Sequence, residues 1–329
     1  MGSKEQLLKP LWQAIGPFGP RRVLDLCSGS GVVSYMLKAQ GCAVVSNDQM
    51  AMATTIAEAL IVNNGAVLDE ATIAAIANVP GQDDGACWAL YGELYYGRAD
   101  MAFLDAARTV IAGLRGSYRM LATAALIRAC IKRRPRGIFT YTGNRYDDGR
   151  KDLRMDLRSH FRAATAQLNP AVFDNGREHF STNVDLSVEL PEVDIDLIYF
   201  DPPYFSPLSD NEYVRRYHFT EALARDWAGV DVQHETKTKK LRNYPNPFRS
   251  EKACVATIER VLEGYPQMPV VLSYSSNSLP NEHDLRAVML RHRRNVQVVK
   301  VPHRYSFANQ AAATAPVRNA VFELIFVAS

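Results

Sequence analysis

Residues 22–48 constrain the fold more than any other stretch of this chain. Arg22-Val23-Leu24-Asp25-Leu26 is a short apolar run of the kind that forms a buried strand. It leads into the glycine-punctuated turn Cys27-Ser28-Gly29-Ser30-Gly31, then into Val32-Val33-Ser34-Tyr35-Met36-Leu37, whose apolar spacing is helical. Gly41 ends that helix, and Ala43-Val44-Val45-Ser46-Asn47-Asp48 reads as a second strand. Strand, glycine turn, helix and strand together make a right-handed βαβ unit, so this part of the chain belongs to an α/β sheet.

Further strand signals fall near 177–181, then at 195–200, 269–274, 296–301 and 320–327. Several are near-continuous apolar runs, as expected of strands covered on both faces. Between them, 52–168 is poor in strand signals. The stretches 53–61, 69–78, 101–114 and 118–131 instead carry apolar residues at three- and four-residue intervals, the helical period. That insertion is too long for an ordinary crossover. The expected architecture is a doubly wound α/β sheet built from 1–50 and 170–329, with 51–169 as a helical, partly basic insertion subdomain.

The hydrophobic share of 47% and charged share of 22% are ordinary for a globular protein. No uninterrupted apolar stretch reaches the roughly 18–20 residues that a membrane span requires. The five cysteines, Cys27, Cys42, Cys87, Cys130 and Cys254, are scattered and contain no Cys-x-x-Cys pair, which suggests neither a zinc site nor a disulfide framework. The start Met1-Gly2-Ser3-Lys4-Glu5 lacks the layout of a secretory signal, so the expectation is a reduced, cytoplasmic protein without a metal. The net charge of +3 hides a reversal along the insertion: 50–110 holds eight acids and two bases, and 115–160 holds twelve bases and four acids. Such segregation can build a polyanion-binding face, although a solvated helix surface is the commoner outcome.

Two motifs carry chemistry. The first is Asp25-Leu26-Cys27-Ser28-Gly29-Ser30-Gly31, where glycines let the backbone approach a ligand at the carboxyl end of the first strand. Asp48, ending the next strand, is placed to accept hydrogen bonds from ribose hydroxyls. Alone, such a turn is equally a tight strand-to-helix connection or a dinucleotide site. The second motif is Asp201-Pro202-Pro203-Tyr204, directly after the strand at 195–200. A Pro-Pro loop is often only a stiffened connection, but this one sits where open α/β sheets hold their ligands.

Taken in order, these two motifs resemble the Dam-like class of DNA adenine methyltransferases. Ser206-Pro207-Leu208-Ser209-Asp210-Asn211-Glu212-Tyr213, Tyr217-His218-Phe219, Lys237-Thr238-Lys239-Lys240 and Ser273-Tyr274-Ser275-Ser276-Asn277-Ser278 share that resemblance. It implies a Rossmann-like methyltransferase core, S-adenosylmethionine as methyl donor, and double-stranded DNA as substrate, recognised by a region separate from the catalytic loop. It leaves open a cognate restriction endonuclease as partner. Cys27 stands where the family often has Phe. The family's basic–aromatic–glycine segment near the N-terminus is not recognisable, although Lys9-Pro10-Leu11-Trp12 occupies that region.

The residue types suit the implied reaction. The adenine amino nitrogen is a poor nucleophile because its lone pair is delocalised into the ring. Acceptors on both amino hydrogens, the Asp201 carboxylate and the Pro202 carbonyl, would hold the nitrogen toward the methyl and favour its pyramidal geometry. Tyr204 would stack on a base swung out of the duplex, and Pro202 and Pro203 restrict the loop before binding. Asp25, Cys27, Ser28, Gly29, Gly31 and Asp48 are the expected cofactor-binding residues. Asn183 or Asp185, after the third strand, is expected to meet the cofactor's adenine edge, with Asp174 as a rival if that strand lies earlier.

Two basic groups are candidates for DNA contact: Arg145, Arg150, Lys151, Arg154 and Arg158, and the run Lys237, Lys239, Lys240 and Arg242. Tyr141 and Tyr146 could stack on bases or pack in the core. His218 and Tyr217 need no acid–base role, and Cys27 reads as a packing residue rather than a nucleophile. An RNA base amino-methyltransferase, a nucleic-acid-binding protein without catalysis, and a nicotinamide oxidoreductase are the alternatives; the last would leave Asp201-Pro202-Pro203-Tyr204 unexplained.

Overall fold

The structure, a computed structural model, describes residues 4–143, 147, 149–207, 212–304 and 320–329, with backbone alone at 303, 304 and 320. The chain divides into two compact units. The first comprises Met1–Gln49, Asn175–Asn211 and Pro245–Ser329, and the second Met50–Asp174 and Glu212–Tyr244.

The first unit carries a seven-stranded sheet: β1 (Arg22–Asp25), β2 (Ala43–Asn47), β3 (Phe180–Thr182), β4 (Leu197–Phe200), β5 (Val270–Ser275), β6 (Val296–Arg304) and β7 (Ala320–Ala328), in the order β3-β2-β1-β4-β5-β7-β6. β1 to β5 run parallel, and β7 enters antiparallel between β5 and β6. Every residue of β2, β4 and β5 is buried, which explains why they read as near-continuous apolar runs in the sequence. Helix Val32–Ala39 joins β1 to β2 and packs on both, and helix Glu282–Leu290 packs on β6 and β7. The core gathers Leu24, Ile198, Phe200, Leu272, Tyr274 and Phe326 from the strands with Ile258 and Val261 from helix Glu251–Gly264.

The second unit is helical. Its elements are Ala51–Ala57 with a π-turn at Glu58–Val62, then Glu70–Ala77, Ala86–Tyr91, Arg98–Ala112, Gly116–Arg133, Leu157–Leu168 and Tyr213–Ala224. The last of these follows the Asp201–Tyr204 loop in sequence, so the helical unit is not the single insertion 51–169. Phe219 lies fully buried among Tyr91, Tyr95, Phe139 and Trp227, and this aromatic packing draws 212–244 into the unit.

Several of the unit's acids are spent on its own helices. Asp69 accepts the Thr72 amide at 2.7 Å, and Asp105 accepts the amides of Cys87 and Trp88, both at 2.9 Å. Fully buried Glu221 accepts the Ala51 and Met52 amides at 3.0 and 2.9 Å while pairing with Arg225 at 2.9 Å. These carboxylates satisfy amide donors that a helix start leaves without partners, and they complement its positive end. The basic stretch is likewise partly internal. Arg134 is 1% exposed and donates to the carbonyls of Tyr95, Tyr141 and Gly143 at 3.3, 2.9 and 3.4 Å. Arg158 reaches the carbonyls of Ala77 and Val79. Part of the charge reversal in the sequence is therefore structural. Among the described residues no helix is long and apolar enough to cross a membrane.

Candidate active site

β1 and β4 are neighbours in the sheet, and their register pairs Asp25 with Tyr199. The Leu26 amide, one residue past β1, donates to the Tyr199 carbonyl at 3.0 Å. The glycine turn and the Asp201–Tyr204 loop therefore leave the sheet side by side, at the switch between β2-β1 on one side and β4-β5 on the other. Ligands of open α/β sheets bind at such a crevice.

In the glycine turn, Gly29 and Gly31 both adopt left-handed backbone, with φ of +52° and +73°, a region costly for side-chain-bearing residues. The Gly29 amide donates to Asp48 Oδ2 at 2.8 Å, and the Ser28 amide to the Asn47 carbonyl at 2.9 Å, tying the turn to the end of β2. Asn47, which sequence reasoning passed over, stitches three strand ends together: its amide group donates to the carbonyls of Leu26 and Val184 and its Oδ1 accepts from Thr182 and Val184. Asn183 directly follows β3 and donates to the Asp48 carbonyl at 2.7 Å. Asp185 holds the Ser187 amide and hydroxyl at 2.8 and 2.7 Å, a local turn contact.

Asp25 is fully buried, and Ser34 donates to its Oδ2 at 2.7 Å. Its Oδ1, like the Ser28 hydroxyl, is buried and has no hydrogen-bond partner among the described residues. Burial pushes the Asp25 carboxyl up to about 7, with Asp201 and Asp48 adding to the rise and the Ser34 bond opposing it. Cys27 packs against the core, and burial, with Asp48, Asp201 and Asp25 around it, pushes its thiol well above the ordinary range. That is a packing thiol rather than a nucleophile.

On the other loop, Pro202 is buried and Asp201 keeps 19% of its side chain exposed. Asp201 Oδ1 accepts the Tyr204 hydroxyl at 2.7 Å and pairs with Lys4 at 3.1 Å. The Tyr204 hydroxyl is thus turned inward, and its ring stands edge-on to Tyr274 at 5.0 Å. Neither Lys4 nor its second partner, Glu323 on β7, carries a motif in the sequence. Each is a lone charge, and only its burial, at 7% and 0% exposure, marks it. Among the described residues no group of three or more His, Cys, Asp or Glu side chains is placed to hold a metal ion.

Residues 1–245 match the family model of the D12 class N6 adenine-specific DNA methyltransferases. The chain belongs to that family. The D12 assignment makes it an adenine-specific DNA methyltransferase. Among curated proteins it is similar to the type II methyltransferase M2.HphI of Haemophilus parahaemolyticus, at 28% identity over 93% of this chain and 90% of the relative. It is also similar to the modification methylase StsI of Streptococcus sanguinis, at 23% identity over 47% of this chain and 23% of the relative.

The candidate DNA-contact residues of this D12 enzyme lie in the helical unit. Arg150, Lys151 and Arg154 are exposed, whereas Arg145 and Tyr146 lie outside the described residues. Tyr141 packs under the Arg134 guanidinium, 4.9 Å from its ring centre, which favours the core-packing reading. Lys237, Lys239 and Lys240 sit on a short hairpin closed by the Val232–Leu241 bridge and the Gln233 amide bond to the Lys240 carbonyl at 2.9 Å. Lys237 is exposed and Lys239 and Lys240 are half-buried. The Tyr95 hydroxyl anchors the hairpin by donating to the Thr238 carbonyl at 2.6 Å, and His218 lies beside it at 3.0 Å. Burial holds the His218 imidazole down to about 4, so it stays neutral near pH 7.

Proposed function

We propose that the enzyme binds S-adenosylmethionine over the turn from Asp25 to Gly31 and methylates N6 of an adenine swung out of double-stranded DNA. The observation that carries this reading is the β1–β4 register, which sets the glycine turn beside the Asp201–Tyr204 loop. The residues fit a cationic, ribose-bearing donor. Asp25 Oδ1 and the Ser28 hydroxyl are buried polar atoms without partners among the described residues, and an ammonium would satisfy the carboxylate. Gly29 and Gly31 keep the turn free of side chains, Cys27 lines it, and Asp48 and Asn183 at the ends of β2 and β3 are placed for the ribose and the adenine edge. Asp185, whose Oδ1 accepts from Ser187, is the weaker of the two candidates for the adenine edge. When bound, the donor supplies an electrophilic methyl group on a sulfonium.

The protein's part is orientation. Asp201 Oδ2 takes no bond among the described residues and is the free acceptor for one amino hydrogen, with the Pro202 carbonyl for the other. The stiff Pro202-Pro203 segment keeps both acceptors in place before the base arrives. Tyr204 packs beside the amino group's site and offers its ring to the base. The helical unit supplies the DNA contacts through Arg150, Lys151, Arg154, Lys237, Lys239 and Lys240, with Arg145 in the same group. All five cysteines are free thiols, which suits a reducing cytoplasmic setting. The relatives named as type II methyltransferase and modification methylase support a role beside a cognate restriction endonuclease.

The test is transfer of labelled methyl groups from S-adenosylmethionine to duplex DNA, followed by identification of the modified base. N6-methyladenine is the expected product. Asp201→Ala should abolish transfer while leaving donor affinity within a few fold, and full activity in that variant would remove the mechanism.

A further inference from the structure

Around the catalytic loop lies a small charged cluster drawn from distant parts of the first unit. Lys4 Nζ is 3.1 Å from Asp201 Oδ1 and 2.7 Å from Glu323 Oε1. It also donates to the Tyr204 hydroxyl. That hydroxyl stands 2.7 Å from both Asp201 Oδ1 and Glu323 Oε1, and Ser273 Oγ donates to Glu323 Oε1 at 2.6 Å. Glu323 lies beyond the residues that the family model covers.

The protons can be counted. A phenol has one, so Tyr204 satisfies one of the two carboxylates at a time. An ammonium has three, and Tyr204, Asp201 and Glu323 are among the recipients of Lys4. Without Lys4, the half-buried Asp201 and the fully buried Glu323 would lose the cation they share and keep the Tyr204 hydroxyl between them. Like charges so placed cannot both stay ionised cheaply, and one would take up a proton.

We propose that Lys4 and Glu323 are positioning residues that act on the reaction through Asp201, with opposite sign. Lys4 fixes Oδ1 and keeps the carboxylate charged, leaving Oδ2 as a full acceptor for the adenine amino group. Glu323 seats Lys4 and Tyr204 and works against the charge on Asp201. The inference rests on the reading of Asp201 as that acceptor.

The other ionisable groups around Asp201 are Asp25 at the end of β1, Cys27 in the glycine turn and Tyr199 on β4. Burial raises the Asp201 carboxyl, Lys4 opposes the rise, Glu323 adds to it and the Tyr204 bond opposes it. Activity that needs ionised Asp201 falls as pH drops through its titration, so this group sets an acid limb in the rate–pH profile. Removing a neighbouring cation moves that limb up, and removing a neighbouring anion moves it down.

The test uses the full chain, unmethylated plasmid DNA and saturating S-adenosylmethionine, with single-turnover transfer followed as a function of pH. In Lys4→Met the acid limb should rise by about one pH unit, so that the rate below the limb falls about tenfold. In Glu323→Gln it should move the opposite way, and Lys4→Arg should keep the wild-type limb. Donor affinity should stay within a few fold in all of them. Limbs that move together or stay fixed overturn the inference, because a merely structural role would lower both rates without opposed shifts. Loss of donor binding in Lys4→Met also overturns it, since Lys4 would then be a donor contact. Asp201→Asn separates the layers: an active variant removes the reading beneath, whereas an inert one with unshifted limbs in the other variants removes this inference alone.

Discussion

Asp48 Oδ2 accepts the Gly29 amide at 2.8 Å, so the carboxylate ending β2 is tied to the turn that follows β1. A hydrogen bond from an amide to a carboxylate is charge-assisted and stronger than a neutral one. Asp48→Ala loses that tie together with the acceptor proposed for the ribose. Donor affinity should fall by about tenfold or more, in line with roughly 1.5–3 kcal/mol for a bond to a charged group. Asp48→Asn, which keeps one acceptor oxygen, should lose less. Calorimetric titration with S-adenosylmethionine measures both, and equal affinities in wild type and Asp48→Ala would refute the assignment.

Asp25 predicts a pH dependence in both stability and binding. Its carboxyl is raised from 3.8 to about 7 on folding, chiefly by burial. A raised carboxyl contributes stability that is complete below the unfolded value and lost as pH rises through the folded one. Asp25→Asn should therefore be more stable than wild type above about pH 7, by on the order of 1–3 kcal/mol. That advantage should shrink toward pH 4 and level off in the alkaline range, which denaturant titrations at several pH values would show. A cationic donor needs Asp25 ionised, so wild-type donor affinity should climb as pH rises through 7 and the climb should vanish in Asp25→Asn.

Gly29→Ala and Gly31→Ala force alanine into left-handed backbone at φ of +52° and +73°. At Gly29 the nearest atom to an added methyl is the Cys27 carbonyl oxygen at 4.0 Å, so the cost there is conformational rather than steric. Each change should destabilise the fold by about 1–2 kcal/mol. Donor affinity should drop more sharply, because the turn would relax away from its ligand-ready shape. Urea unfolding and donor titration on the same samples separate the two effects.

The hairpin lysines should act through phosphate charge. In the double variant Lys237→Ala/Lys240→Ala, the slope of log affinity against log salt should become shallower by about 2, near one unit per lost phosphate contact. An unchanged slope would place both lysines in solvent only. Arg134→Met should behave differently: the carbonyls of Tyr95, Tyr141 and Gly143 lose their donor, and the fold itself weakens.

Much of the sheet was legible from local pattern. The strands expected at 195–200, 269–274 and 296–301 appear as β4, β5 and β6: β4 and β5 are buried throughout and mostly apolar, whereas β6, an edge strand with Val299 46% exposed, shows itself by its run of β-branched valines. β3 was harder. Only three residues long at the sheet edge, with Phe180 43% exposed, it is defined by its pairing with β2 rather than by its own hydrophobicity. The assignment of 212–244 to the helical unit was also hidden, since Phe219 and Glu221 reveal their partners only when the helices are assembled. Charge counting overstated the polyanion-facing surface, because Arg134 and Arg158 bind backbone carbonyls inside the unit.

The sequence by itself determined the glycine turn, the Asp201–Tyr204 loop and their placement after apolar strands, because these depend on neighbours along the chain. Only the tertiary structure decided that Lys4 and Glu323, 319 positions apart, meet at Asp201. The physical reason is the cost of burying a lone charge. A lysine and a glutamate withdrawn from water must find partners, and which partners they find is set by the order of strands in the sheet rather than by any local pattern.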